Sequence, residues 1–202
     1  MKIKICGITK RDTLNFLIEN EVDYVGFIFH EKSPRNVARE FIDEIKDIDF
    51  KKTRPVCVFV NADKSFINSS IKSFENPIIQ FHGDETEDFC KSLGHEFWKA
   101  LRVKDSKSLE DIKLFNSAEA ILFDAFKEGM FGGTGSSFDW RILNSDLLLE
   151  KKIIISGGLS IENLENALKI NPWCLDFNSG VESAPGLKDH SKIMEILSFI
   201  RK

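Results

Sequence analysis

Cysteine is scarce in this chain and scattered. The four thiols, Cys6, Cys57, Cys90 and Cys174, are far apart and form no C-x-x-C pair. A disulfide framework and a structural zinc site are therefore not expected. No apolar run approaches the length of a membrane span, and no basic-apolar-small leader precedes the first strand. Basic residues form no stripe, and the formal net charge of −4 speaks against a nucleic-acid surface. No low-complexity segment or linker divides the chain, and no G-x-G-x-x-G follows the first strand. These absences imply a reduced, cytoplasmic enzyme or binding protein with neither nucleic acid nor membrane as partner.

What is present is ordinary in amount and informative in order. The 202 residues, 42% apolar and 30% charged, suffice for one sizeable core, and the expectation is a single domain over 1–202. Phenylalanine is frequent, at 18 residues, which predicts a core with large aromatic area.

Apolar runs of strand length alternate with stretches of helical period. The predicted strands are Lys2–Cys6, Tyr24–Phe29, Pro55–Val60, Pro77–His82, Phe97–Val103, Ala120–Asp124, Ile153–Ser156 and Trp173–Phe177. Thr9 and Asp12 read as a capping box for the first helix, and Ser108 with Asp111 as a cap for the helix after strand five. Continuous apolar strands separated by helices indicate a parallel sheet covered on both faces. Eight such units of about 25 residues predict a single (β/α)₈ TIM barrel of the phosphate-binding type, with an open doubly wound sheet as the alternative.

In such a barrel the C-terminal ends of the strands share one mouth. That rule selects Cys6, Phe29 with nearby Arg35, Asn61, His82, Arg102, Asp124, Ser156 and Asp176. Two glycine loops follow strands seven and eight, Ser156-Gly157-Gly158-Leu159 and Asn178-Ser179-Gly180-Val181. Backbone N–H groups without bulky side chains converge readily on an anion, so a phosphate site is favoured over two simple turns. Cys6 and Asp124 end strands one and six, on opposite sides of the mouth. A substrate lying across it could meet a base on one side and an acid on the other, whereas the bland roles are packing for the thiol and loop ordering for the carboxylate. Arg35 suits a bidentate pair with a substrate carboxylate, or is a solvated surface arginine. His82 could serve the site or order its own loop. Asp176 sits in an apolar strand end, where a charge needs a partner in the protein or on the substrate. The glycine-rich loop 125–137 could form a lid.

The chain resembles the phosphoribosylanthranilate isomerase family of tryptophan biosynthesis along its whole length. The resemblance rests on Lys4-Ile5-Cys6-Gly7-Ile8-Thr9, Lys32-Ser33-Pro34-Arg35 and Gln80-Phe81-His82-Gly83-Asp84-Glu85. Further along it rests on Asp124 with Gly132-Gly133-Thr134-Gly135 and Phe138-Asp139-Trp140. Ser156-Gly157-Gly158-Leu159, Asp176-Phe177-Asn178-Ser179-Gly180-Val181-Glu182 and Pro185-Gly186-Leu187-Lys188-Asp189 complete it. It implies an Amadori rearrangement of N-(5-phosphoribosyl)anthranilate, a small phosphosugar, with no metal or organic cofactor. Cys6 would be the general base and Asp124 the general acid. Arg35 would bind the anthranilate carboxylate, Asp176 would face the ribose hydroxyls, and His82 would join the substrate-binding set. Gly157, Gly158, Ser179 and Gly180 would cradle the phosphate, in a monomer or homodimer. Two positions depart from the family pattern. Ala125 follows the acid where Thr or Ser is usual, and Phe177-Asn178 opens the last loop where a β-branched or small residue and then Ser is expected.

Two other functions compete. A histidine-pathway isomerase runs the analogous rearrangement but resembles this chain with a carboxylate in place of Cys6. A barrel that only binds phosphate would have no use for Cys6, Asp124 and Arg35 together.

Overall fold

The computed structural model describes residues 1–125, 140–143 and 151–201. Eight parallel strands close into a barrel in sequential order: β1 (Lys2–Cys6), β2 (Tyr24–Phe29), β3 (Arg54–Phe59), β4 (Ile78–Phe81), β5 (Phe97–Val103), β6 (Ala120–Ala125), β7 (Lys152–Ile155) and β8 (Cys174–Phe177). Closure is made by β1 against β8, where Lys4 pairs with Asp176 and Ile5 with Phe177. The open doubly wound sheet is thereby ruled out: every strand has neighbours on both sides.

The α-helices are α1 (Arg11–Glu19), α2 (Arg39–Ile45), α3 (Lys64–Ile71), α4 (Glu87–Lys91), α5 (Leu164–Leu168) and α6 (His190–Ile200). After β5 the connection is a 3₁₀ helix, Ser106–Leu114. Beyond β8 a short hairpin, β9 (Glu182–Ala184) and β10 (Leu187–Lys188), precedes α6. The expected lid over 125–137, the Gly129 to Gly135 loop and the Phe138-Asp139 start of the next helix lie outside the described residues, apart from Ala125 at the end of β6.

Two caps differ from the sequence expectation. Helix α1 begins after Lys10 with no side-chain cap, because Thr9 Oγ1 donates to the carbonyl of Gly186, 3.0 Å away on the β9–β10 hairpin. A tertiary acceptor has taken the hydroxyl that a capping box would use. Ahead of Ser106–Leu114 the N-cap is Asp105, whose carboxylate accepts from the backbone of Ser108 while Ser108 Oγ returns to the Asp105 N–H. Asp111 takes no part in that cap.

Strand side chains alternate between two cores. The outward face of the barrel packs against the helices and is rich in phenylalanine. Phe27 lies 4.8 Å from Phe74 and Phe29 lies 5.1 Å from Phe59, ring to ring, as the composition predicts. The inward face is smaller and aliphatic, with Val56, Val58, Ile78, Ala100, Leu122 and Ile154. Tyr24, Trp98 and Trp173 close its N-terminal end with edge-on and tilted rings 4.9 to 5.8 Å apart. The inward alternation also lifts Cys6, Gln80, Asp124 and Asp176 toward the C-terminal mouth, where the aliphatic filling ends.

Candidate active site

The mouth holds a pocket partly open to solvent. Cys6, Arg35, His82, Asp124, Gly157, Gly158, Asp176 and Ser179 all line it, so eight of the nine site residues expected from the sequence meet in one cavity. Gly180 does not line it. A Cβ on Gly180 would fall 1.8 Å from the carbonyl oxygen of Leu159, so its bare α-carbon is what lets the loops after β7 and β8 close on each other.

Three members of the wider strand-end list stand elsewhere. Phe29 points outward into the phenylalanine cluster, and Ile28 takes the inward position. Asn61 hydrogen-bonds the backbone of Asp84 through Oδ1 at 2.7 Å and orders the loop after β4. Arg102 forms an ion pair with Asp84 outside the pocket.

Cys6 owes its place to β2. Its register partner is Gly26, where a Cβ would lie 2.5 Å from the Cys6 sulfur. A glycine on the inward face makes the hole that the thiol fills. Two residues earlier on the same face is Lys4, wholly buried, with Nζ donating to Asp176 Oδ2 at 2.7 Å. Burial alone would discharge Lys4. The facing charges of Asp176 and Cys6 outweigh it and hold the ammonium well above its ordinary pKa. Burial likewise pushes the Asp176 carboxyl up, and Lys4 limits the rise. For the Cys6 thiol, burial pushes the pKa up; Lys4 and Lys188 oppose this, and Asp176 adds to it. The second oxygen of Asp176, Oδ1, is buried with no hydrogen-bond partner among the described residues. A carboxylate oxygen left so in a pocket wall is an open acceptor for a ligand hydroxyl.

On the far wall His82 Nε2 lies 3.0 Å from Asp124 Oδ2, and Gln80 Nε2 lies 3.0 Å from His82 Nδ1. With the Gln80 amide donating to Nδ1, Nε2 carries the proton and donates to Asp124 Oδ2. His82 is thus bonded to the expected acid as well as lining the pocket.

Arg35 is buried and already has a two-point carboxylate partner, but within the protein. Nε donates to Glu182 Oε1 at 2.8 Å and Nη2 to Oε2 at 2.7 Å. The bidentate pair expected with a substrate is made with Glu182, which leaves the Nη1/Nη2 edge for a ligand. Burial alone would raise the Glu182 carboxyl; the bond from Arg35 and the charge of Lys188 outweigh it and hold it below the ordinary range. Lys188 Nζ reaches Glu182 Oε1 at 2.7 Å and both oxygens of Asn178, backbone and side chain, at 3.0 and 2.8 Å. Desolvation lowers its own pKa, against the pull of Glu182. One network therefore ties Arg35, the β9–β10 hairpin and the last glycine loop together.

The other glycine loop is built for close backbone approach. Gly157 and Gly158 have φ of 81° and 65°, a conformation that side chains resist. Asn163 pins the loop from below, its Nδ2 donating to the Gly158 carbonyl at 2.8 Å while Oδ1 accepts from the Ser160 N–H at 2.9 Å.

Lys4, Gln80, Glu182 and Lys188 were not singled out from the sequence as site residues. Like Asp176, Lys4 and Gln80 are polar residues inside apolar strands, and each stands two positions before a candidate site residue, Cys6 and His82.

Comparison with known proteins agrees with the barrel fold. Residues 3–198 match the family described as N-(5'-phosphoribosyl)anthranilate (PRA) isomerase. The N-(5'-phosphoribosyl)anthranilate isomerase of Thiobacillus denitrificans is 37% identical over 204 residues, covering 98% of this chain and 97% of that protein. The crystal structure of the Thermus thermophilus phosphoribosyl anthranilate isomerase superposes with a TM-score of 0.88 at 26% identity, covering 100% of this chain and 98% of that one. A crystal structure of a phosphoribosyl anthranilate isomerase in complex with reduced 1-(o-carboxyphenylamino)-1-deoxyribulose 5-phosphate gives a TM-score of 0.83 at 28% identity over 98% of this chain and 97% of that one. A closed parallel barrel with this mouth, matched over nearly its whole length, belongs to the N-(5'-phosphoribosyl)anthranilate isomerase family.

Proposed function

We propose that this chain, as one catalytic barrel over 1–202, converts N-(5-phosphoribosyl)anthranilate to 1-(2-carboxyphenylamino)-1-deoxyribulose 5-phosphate in tryptophan biosynthesis. Asp124 protonates the furanose ring oxygen, and the nitrogen lone pair drives the ring open to a protonated Schiff base. The Cys6 thiolate then removes the proton from C2. The electrons flow to C1 and the nitrogen to give an enolamine, and its tautomerisation leaves a ketone at C2 and a new C–H bond at C1. The chemistry needs only proton transfers.

The observation that carries this reading is the sharing of one pocket by Cys6, Asp124 and the glycine loops. The phosphate would lie on the backbone of Gly157, Gly158, Ser179 and Gly180, near positive local potential from exposed N–H groups. Asp176 Oδ1, which has no partner among the described residues, would accept a ribose hydroxyl. The free edge of Arg35 would take the anthranilate carboxylate. His82 would touch substrate while bonded to the acid. The partner in solution is thus a small phosphorylated sugar, handled in the cytoplasm by a monomer or homodimer.

The decisive experiment follows the loss of anthranilate-type fluorescence when phosphoribosylanthranilate, generated in situ, meets purified protein. Rapid decay is expected. Cys6→Ser and Asp124→Asn should each lower kcat by a factor on the order of 10² to 10⁴, the range for a lost general base or acid. Arg35→Ala should act mainly on KM. No decay with wild-type protein would overturn the substrate assignment, and near-normal turnover in either of the first two variants would remove that residue from the mechanism.

A further inference from the structure

A lysine deep inside a barrel calls for an explanation. Elsewhere the inward face carries Val56, Val58, Ile78, Leu122 and Ile154, and an aliphatic side chain at position 4 would fill its space without a desolvation cost. Instead β1 places a fully buried ammonium on the same face as Cys6, two residues below it, with Asp176 of β8 as its ion-pair partner at 2.7 Å.

Charged groups reach the surroundings of the thiol from several elements. Lys4 comes from β1 and Asp176 from β8. Arg35 comes from the loop after β2 and Lys188 from β10, but Glu182 of β9 holds both in ion pairs. His82 and Asp124 face across the pocket and are bonded to each other. Gly26, the nearest neighbour on β2, has no side chain at all. Among these groups Lys4 approaches the sulfur from below and shares its charge with a single carboxylate.

We propose that Lys4 sets the ionisation of the Cys6 thiol, and that Asp176 limits how much of that charge the thiol feels. Lys4 is in these terms a positioning residue: it acts through Cys6 and takes no proton itself. Burial pushes the thiol up and Lys4 is the strongest influence against that push, so its loss leaves still less thiolate to abstract a proton. The link to catalysis rests on Cys6 being the base; the link to thiol ionisation does not.

The test measures the rate of Cys6 alkylation by iodoacetamide against pH on the folded protein, with the site of modification mapped by mass spectrometry. Cys57, Cys90 and Cys174 are buried away from the mouth and serve as internal controls. Lys4→Met should move the midpoint of Cys6 reactivity upward by more than one pH unit, cutting alkylation at neutral pH by about tenfold or more. Asp176→Asn should move it downward, because the full charge of Lys4 then reaches the thiol and a neighbouring negative charge is gone. Lys4→Arg should stay near wild type. Should Lys4→Met fail to fold because Asp176 is left unpaired, the double variant Lys4→Met/Asp176→Asn carries a neutral pair and should still show the upward shift. An unshifted midpoint in folded Lys4→Met, or in the double variant, overturns the proposal. The acidic limb of kcat/KM is read in parallel. A shift in alkylation without a shift in that limb would sustain the role of Lys4 and remove Cys6 as the base.

Discussion

Arg35 and Glu182 meet edge to edge through two hydrogen bonds, at 2.8 and 2.7 Å, between a loop near the start of the chain and a strand near its end. The pair fixes the plane of the guanidinium and therefore the direction of its remaining edge. Glu182→Gln would keep the shape and lose the charge. The expected result is a KM raised by roughly tenfold with a smaller change in kcat, as for a loosened binding group. Steady-state kinetics on the fluorescence assay would read it; an unchanged KM would mean that Arg35 holds its orientation without Glu182.

The same substitution tests a pH effect. The folded-state pKa of Glu182 lies below its ordinary value, so the carboxylate binds its proton more weakly in the folded chain. Its contribution to stability is then fully present above about pH 4.3, the ordinary glutamate value, and is lost as pH falls through the depressed folded value. Wild type and Glu182→Gln should differ in melting midpoint at neutral pH and converge in acid. A gap that stayed constant down to pH 3 would assign the difference to packing rather than to ionisation.

Gly26 gives a sharper steric test. A methyl group there would sit 2.5 Å from the Cys6 sulfur, inside any tolerable contact. The thiol is the movable party, since both backbones are locked in the β1–β2 ladder. Gly26→Ala should therefore fold yet lose kcat by about tenfold or more, the scale of a misplaced reacting group. Circular dichroism and kinetics on one preparation would separate the two effects, and wild-type turnover would show that the sulfur has room to move.

His82 is bonded both to the expected acid and to a second strand side chain. His82→Ala would release Asp124 Oδ2 from its ring N–H. If the ring chiefly orients Asp124, kcat should fall by about ten- to a hundredfold with KM nearly unchanged, a fraction of what loss of the acid itself costs. Gln80→Leu should produce the same kind of change at smaller size, since it acts through the ring. A rise in KM alone for His82→Ala would make the histidine a substrate contact and leave Asp124 oriented by other bonds.

Much of this architecture could be read from the chain because it is written locally. Strands such as Tyr24–Phe29 are continuous apolar runs bounded by turns, and their number and even spacing force a closed barrel. The glycine loops and Cys6 announce themselves by residue type at strand ends. The supporting residues do not. Lys4 and Asp176 are 172 positions apart and Arg35 and Glu182 are 147 apart, so neither pair has a local signature. Alternation misassigned Phe29 because a strand end leaves both parities open, and only packing shows that Ile28 turns inward. Thr9 had good capping chemistry but found a tertiary acceptor 177 residues away.

The last prediction concerns stability away from the chemistry. Lys99 lies on the outward face of β5 with Nζ bonded to the Gly83 carbonyl at 2.6 Å and to Glu85 Oε2 at 2.9 Å, and both side chains are almost wholly buried. Glu85 in turn accepts from the N–H groups of Asn61 and Gly83, so the pair props the turn that follows His82. Lys99→Met would leave a buried carboxylate facing two backbone donors but no cation. Breaking a buried pair from one side costs about 3–5 kcal/mol, which for a chain of this size is a fall in Tm on the order of 10 °C. Glu85→Gln in the same chain removes the stranded charge and should restore part of that loss. Urea and thermal unfolding of wild type and the two variants would show it. If Lys99→Met cost under about 1 kcal/mol, the two backbone donors alone would be enough to hold the Glu85 charge, and the lysine would be a passive neighbour.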